Sequence, residues 1–197
     1  TEIRDKYLGE GEGVLTTLGD RNWHSTVDPL VKDWLNAFKL TDKYAMLHDS
    51  FKYIKNYKEQ WANAPFPPMF VTTDAVVVTS GHVLLVRRKF NPGRKLLALP
   101  GGFLDANERI TSSMIRELKE ETKILCSWEI LESHIRSSKV FDHPLRSTRG
   151  RTITHAYLIR LPDTGQLPEV RASSDADKAL WMPIGELHQH EDKFFED

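Results

Sequence analysis

The sequence predicts an α/β fold, an α/β/α sandwich around a mixed sheet, preceded by a helical lead-in. Three observations carry this expectation. Two aromatic-rich stretches with helical spacing come before a proline cluster, Pro65-Phe66-Pro67-Pro68. Beyond it, short β-rich runs are separated by turn residues. Among those runs lies one amphipathic segment, Asn107 to Thr122, with Ile110, Met114 and Leu118 on its inward face.

Residues 1–26 are rich in glycine, threonine and charge, have no sustained period, and read as irregular. Val27 to Phe38 reads as a helix: Asp28 suits the cap, Pro29 the first turn, and Leu30, Val31, Trp34, Leu35 and Phe38 form one stripe. Thr41 to Trp61 reads as a longer helix, with Tyr44, Leu47, Phe51, Ile54 and Tyr57 on its apolar side. Such stripes are expected to be core or a dimer face, giving a homodimer or packing against a further domain. The proline cluster then divides a lead-in, residues 1–64, from a main domain, residues 65–197.

In the main domain, Val71–Thr79 and His82–Arg88 are expected to form a hairpin about Ser80-Gly81. Lys95–Leu99 is a short apolar run leading into Pro100-Gly101-Gly102, and the Asn107–Thr122 helix follows. Trp128–Val140, Thr152–Arg160 and Lys178–Met182 are read as further strands, and Pro183–Leu187 as the start of a last short helix.

Composition narrows the class. With 40% hydrophobic and 28% charged residues and a net charge of −1, the chain is globular and lacks the basic excess of a nucleic-acid binder. One cysteine, Cys126, excludes a disulfide framework and a zinc ribbon; it reads as buried structure rather than a nucleophile. His188 and His190 lack further ligands at zinc spacing. No secretory leader and no membrane-length apolar run is recognisable, so a cytoplasmic location with no membrane partner is expected.

The chemistry concentrates in Gly101-Gly102-Phe103-Leu104-Asp105-Ala106-Asn107-Glu108 and Arg116-Glu117-Leu118-Lys119-Glu120-Glu121. On a helix, Glu117, Glu120 and Glu121 are i, i+3 and i+4, so three carboxylates share a face. Like charges that close repel one another, and a hard divalent cation, which prefers oxygen ligands, would neutralise them. The glycines let the backbone turn sharply and approach a metal or phosphate.

Gly102, Glu108, Arg116, Glu117, Glu120 and Glu121, with Leu118 and Ile124 at the apolar positions, resemble the Nudix box; Lys123 stands where that pattern has a second glycine. The resemblance implies a Nudix fold and hydrolysis of a pyrophosphate linked to a nucleoside, with Mg2+ as cofactor and Mn2+ as an alternative. It makes Glu117, Glu120 and Glu121 the metal ligands, with the Gly102 carbonyl as a further one. Arg116 would orient Glu120 by ion pairing, and Glu108 would support the ligands or bind an outer metal. The general base stays open among Glu120, Glu121, Asp175 and Asp177. At Lys123 the helix is expected either to end differently or to accept modest strain.

Further segments resemble the Nudix half of bifunctional nicotinamide mononucleotide (NMN) adenylyltransferase/ADP-ribose pyrophosphatases. They are Tyr53–Lys58, Phe70–Val77, Leu85–Arg88, Leu99–Asp105 and Phe141–His155. This likeness implies ADP-ribose as substrate, cleaved to AMP and ribose 5-phosphate. An aromatic platform for adenine and arginines for the anionic part would come from Phe70, Arg87, Arg88, Arg149 and Arg151. Thr1-Glu2-Ile3-Arg4 resembles the end of the family's Ser-x-Thr-x-Ile-Arg motif, which would put an adenylyltransferase domain upstream. The alternatives are a non-catalytic ADP-ribose-sensing Nudix domain of a transcription regulator, or a Nudix enzyme for another nucleoside diphosphate derivative or a nucleoside triphosphate.

Overall fold

The computed structural model describes residues 29–173 and 175–195. Thr1–Arg4 and the first residues of the expected Val27 helix lie outside them. The described residues up to Gln60, with Asn91–Gly93, form one compact unit; Trp61–Phe90 and the residues from Arg94 onward form a second. No described helix is long and apolar enough to cross a membrane.

The first unit contains helices α1 (Pro29–Lys39) and α2 (Asp42–Glu59). Thr41 caps α2, its side chain accepting the Tyr44 N–H, which satisfies one of the donors a helix start leaves open. The aromatic stripes interact locally: Trp34 stacks on Phe38 at 5.3 Å between centroids, and Phe38 meets Tyr44 edge-on. Neither helix buries a residue fully, and Leu30 and Trp34 are 76% and 62% exposed. Among the described residues these stripes are therefore not enclosed as a core.

The second unit is a mixed α/β domain, in agreement with the expected fold class. Its strands are β1 (Met69–Thr79), β2 (His82–Arg88), β3 (Leu97–Ala98), β4 (Gly101–Phe103), β5 (Ile135–Phe141), β6 (Arg151–Arg160) and β7 (Ala176–Pro183). The sheet runs β3-β2-β1-β6-β5, with β4 paired to β1 and β7 to β2. β1 and β6 are parallel along ten residue pairs, from Met69↔Arg151 to Val78↔Arg160. β1 meets β2 only beside the Ser80-Gly81 turn, then leaves it to pair antiparallel with β4. That divergence brings the Gly101-Gly102 turn into the sheet.

Helix α3 (Ile110–Thr122) packs on this sheet through Met114, Ile115 and Leu118, all fully buried with Ala75, Val77, Leu84 and Ile159. Its apolar stripe fixes its rotation and so fixes where its glutamates point. Trp128–Val140, expected as one strand, is instead helix α4 (Trp128–Ser133) followed by β5. Ser127 caps α4 by accepting the Ile130 N–H, and Leu131 is buried on one helical turn. A 3-10 segment, Ile184–Lys193, kinked at His190, follows β7.

Lys123 ends α3 in the left-handed region, φ 46° and ψ 31°, its N–H donating to the Lys119 carbonyl. Lys119 in turn donates to the Cys126 carbonyl, tying down the turn that follows. A side chain at this φ is held at a cost that glycine avoids. Urea unfolding should therefore find Lys123→Gly more stable than wild type by about 1 kcal/mol; a less stable variant would show that the lysine side chain outweighs the backbone strain.

Candidate active site

The site assembles where β4, the loop 104–108 and α3 meet. Glu117, Glu120 and Glu121 project from α3, and Arg116 gathers the neighbouring acids. Its Nη2 and Nε take both oxygens of Glu108, at 2.7 and 3.0 Å, in a two-pronged pair. Nη1 reaches Glu117 at 2.9 Å and Glu120 at 3.2 Å, while Nη2 also donates to the Phe103 carbonyl at 3.4 Å. Glu108 closes its own loop by accepting the Asp105 N–H. One guanidinium thus holds the loop against the helix, hydrogen-bonding three carboxylates and pairing with a fourth, Asp105, at 3.8 Å.

These contacts and burial shift Glu108, Glu117 and Glu121 in different directions. The Arg116 hydrogen bonds hold Glu108 down at about 2, well below the usual carboxylate value. Burial pushes Glu117 up, against the pull of Arg116, and the charges of Glu120 and Asp175 push the same way. Glu121 is almost wholly buried, and that burial pushes it up to about 7. The Gly101 N–H donates to Glu121 at 3.0 Å and Arg88 also favours its charged form, while Glu117 and Asp175 oppose it.

The two glycines are sterically required. A methyl group on Gly102 would lie 2.5 Å from the Glu117 carboxylate carbon, and one on Gly101 would lie 2.1 Å from the Thr73 carbonyl oxygen. The turn must therefore run bare against the acidic face of α3.

Among the described residues no three His, Cys, Asp or Glu side chains form a closed metal-ligand set. The reason is visible in the bonds just described: Glu117 and Glu120 turn to Arg116, and Glu121 to Gly101. The donor chemistry nonetheless fits a hard divalent cation. It consists of carboxylate oxygens, two of them raised by burial and, to a smaller extent, by neighbouring acids.

The other sequence candidates separate. Asp175 bears electrostatically on Glu117 and Glu121, whereas Asp177 pairs with Arg87 at 2.7 Å on a solvent-facing side. Arg149 lies over the Phe103 ring at 5.0 Å, and Phe103 meets Phe70 edge-on at 5.7 Å. Arg151 donates instead to the Asp142 carbonyl and stands opposite Met69. Phe103, Phe195 and Trp61, which joins Phe70 edge-on, were not singled out from the sequence. Nor was Arg146, which bonds Thr154 at 2.9 Å and pairs with Asp74 across from Gly101. Arg146 lies in the same basic stretch as Arg149 and Arg151, where spacing alone cannot rank the three.

A family model described as NUDIX domain matches residues 69–197, which include every element of this site. The chain belongs to the Nudix hydrolase family. It is similar to a solved bifunctional NMN adenylyltransferase/ADP ribose pyrophosphatase from Francisella tularensis, complexed with AMP and Mn ion. That structure is 42% identical with a TM-score of 0.84, and the match covers 87% of this chain and 52% of that one. An ADP-ribose pyrophosphatase of Methanocaldococcus jannaschii is 29% identical over 117 residues, 59% of this chain and 63% of the relative. The NUDIX domain of Shewanella oneidensis NrtR, solved with ADP ribose, is 25% identical with a TM-score of 0.53, covering 68% of this chain and 86% of that one. The chain therefore spans about half the length of the Francisella protein and less than two thirds of the Methanocaldococcus one.

Glu121 gives this Nudix site a pH signature. Its folded-state value lies above the ordinary 4.5, so the folded protein holds this proton more tightly than the unfolded chain. The stability from that proton is complete below about 4.5 and is lost as pH rises through about 7. With divalent metal removed, Glu121→Gln should match wild type at pH 4 and exceed it at pH 8 by on the order of 2–3 kcal/mol. Thermal unfolding at both pH values checks this, and a variant less stable than wild type at pH 8 contradicts it.

Proposed function

We propose that this chain hydrolyses ADP-ribose to AMP and ribose 5-phosphate. The observation that carries the reading is the desolvated carboxylate set of α3 lying against the bare Gly101-Gly102 turn. Its 42% identity to the Francisella enzyme supports ADP-ribose over other nucleotides. That similarity also supports a place in a bifunctional NMN adenylyltransferase/Nudix protein of NAD metabolism. The exposed apolar stripe of α1 supports a homodimer.

Glu117, Glu120 and Glu121, with the Gly102 carbonyl, would hold Mg2+, or Mn2+ in its place. When bound, the cation supplies neutralisation of the diphosphate and acidification of an attacking water. The chain's own residues do the rest. Arg116 pairs with Glu117 and Glu120 and orients them, and ties Glu108 to the same guanidinium. Asp175, beside Glu117 and Glu121, is assigned to accept the proton of the attacking water; Asp177 is committed to Arg87. Phe70 and Phe103 offer an aromatic surface for adenine, with Arg149 over Phe103 and Arg88 near Glu121 for the diphosphate and ribose.

A second reading, ADP-ribose binding without hydrolysis, draws on Lys123 at the box's glycine position and on the likeness to the NrtR domain. A hydrolysis screen across ADP-ribose, NADH, diadenosine polyphosphates and nucleoside triphosphates separates them. The expected result is preferred turnover of ADP-ribose, abolished by chelation and restored by Mg2+ or Mn2+. Tight ADP-ribose binding with no turnover favours the sensor, and turnover of nucleoside triphosphates alone overturns the substrate. Gly102→Ala should fold and lose at least about a hundredfold in kcat, because the new methyl displaces Glu117; steady-state kinetics within twofold of wild type would remove the close approach from the mechanism.

A further inference from the structure

The segment after the 3-10 stretch returns to the sheet. Phe194 bridges to Leu97, and the Phe195 N–H donates to the Leu97 carbonyl at 2.9 Å. Leu97 pairs with Arg87 on β2, and Arg88 donates its N–H to the Leu96 carbonyl, so this register brings the Phe195 ring beside Arg88. The Arg88 guanidinium lies over that ring, 4.2 Å from its centroid. Arg149, from the basic stretch before β6, lies 6.0 Å from the same centroid and 5.0 Å from that of Phe103. Phe195 therefore joins two arginines from distant parts of the chain, and contacts continue through Phe103 and Phe70 to Trp61.

We infer that Phe195 is a positioning residue of the substrate site, its ring fixing Arg88 and Arg149 to receive the anionic diphosphate–ribose portion of ADP-ribose. The inference rests on the ADP-ribose reading above and extends it to a residue outside the family motif. Three physical arguments support it. An aromatic face attracts a guanidinium without offering a hydrogen bond that would compete with a phosphate. An arginine loses rotamer entropy when fixed, and fixing it before substrate arrives removes that cost from binding. Two guanidiniums gathered at one ring also repel each other, and an anion received between them relieves that repulsion.

The test is steady-state kinetics on ADP-ribose for wild type, Phe195→Leu, Phe195→Tyr, Arg88→Ala, Arg149→Ala and the double variant Phe195→Leu/Arg149→Ala. Leucine keeps the apolar packing and the backbone bridge to Leu97 but removes the aromatic face. Phe195→Leu should raise KM about three- to tenfold with kcat within about twofold, and Phe195→Tyr should restore KM. In the Arg149→Ala background the same leucine change should raise KM by a smaller factor than in wild type, since one of its two partners is gone while Arg88, the nearer one, remains. A wild-type KM in Phe195→Leu, or effects that multiply fully in the double variant, overturns the inference alone. If Arg88→Ala and Arg149→Ala both keep wild-type KM, the arginine assignment and the role of Phe195 fall together. Wild-type protein that neither binds nor hydrolyses ADP-ribose overturns the substrate reading, and this inference with it.

Discussion

Everything at this site depends on one guanidinium holding together acids that would otherwise separate. Arg116 takes both oxygens of Glu108, one each of Glu117 and Glu120, and a backbone carbonyl from the glycine-led loop. Without it, loop 104–108 has little to fix it to α3, and the acidic face is unbalanced. Lysine could not replace it, because a single ammonium lacks the fork that grips Glu108 while still reaching two further acids. Six carboxylates, those of Asp105, Glu108, Glu117, Glu120, Glu121 and Asp175, surround two guanidiniums, those of Arg116 and Arg88. That negative surplus is what makes the pocket suited to a cation.

The fold tolerates this surplus because the core beneath it is apolar and firmly packed. Met114, Ile115 and Leu118 anchor α3 on β1, and their burial stabilises the helix by several kcal/mol against the cost of desolvating Glu117 and Glu121. The same anchoring fixes the helix's rotation, which keeps Glu117 and Glu121 on its buried side. Gly101 and Gly102 complete the enclosure from the other side: β1 pairs with β4 through them, which presses their backbone onto the glutamates. Stability is given up at the acids, and a site with raised carboxylates results.

How much of this was legible in the sequence follows from distance along the chain. Glu117, Glu120 and Glu121 could be read because helical spacing alone puts them on one face, and Arg116 because it is one turn from Glu120. Lys123 was flagged for its backbone conformation, and its φ of 46° is the strained outcome of the two expected there. Local composition misled at Trp128–Val140, where the Ser127 cap decided for a helix that the following β-rich residues concealed. The aromatic stripes of α1 and α2 suited either core or a dimer face, and periodicity cannot say what covers a face. Phe103, Phe195, Arg146 and Asp74 were out of reach because their roles come from sheet register: β1 parallel to β6, β4 on β1, and Phe195 on β3. Register of that kind joins residues far apart in sequence, and no local pattern encodes it.

The central claim is that the α3 carboxylates form a divalent-cation site, and Glu120 tests it most cleanly. It is the most exposed of the three, at 47%, so its replacement costs little packing. Calorimetric titration of Mn2+ into wild type and Glu120→Gln, without nucleotide, is the direct measurement. The account predicts saturable binding by wild type and affinity at least about tenfold weaker in the variant, at an unchanged melting temperature. Equal Mn2+ affinity in the two proteins would contradict it.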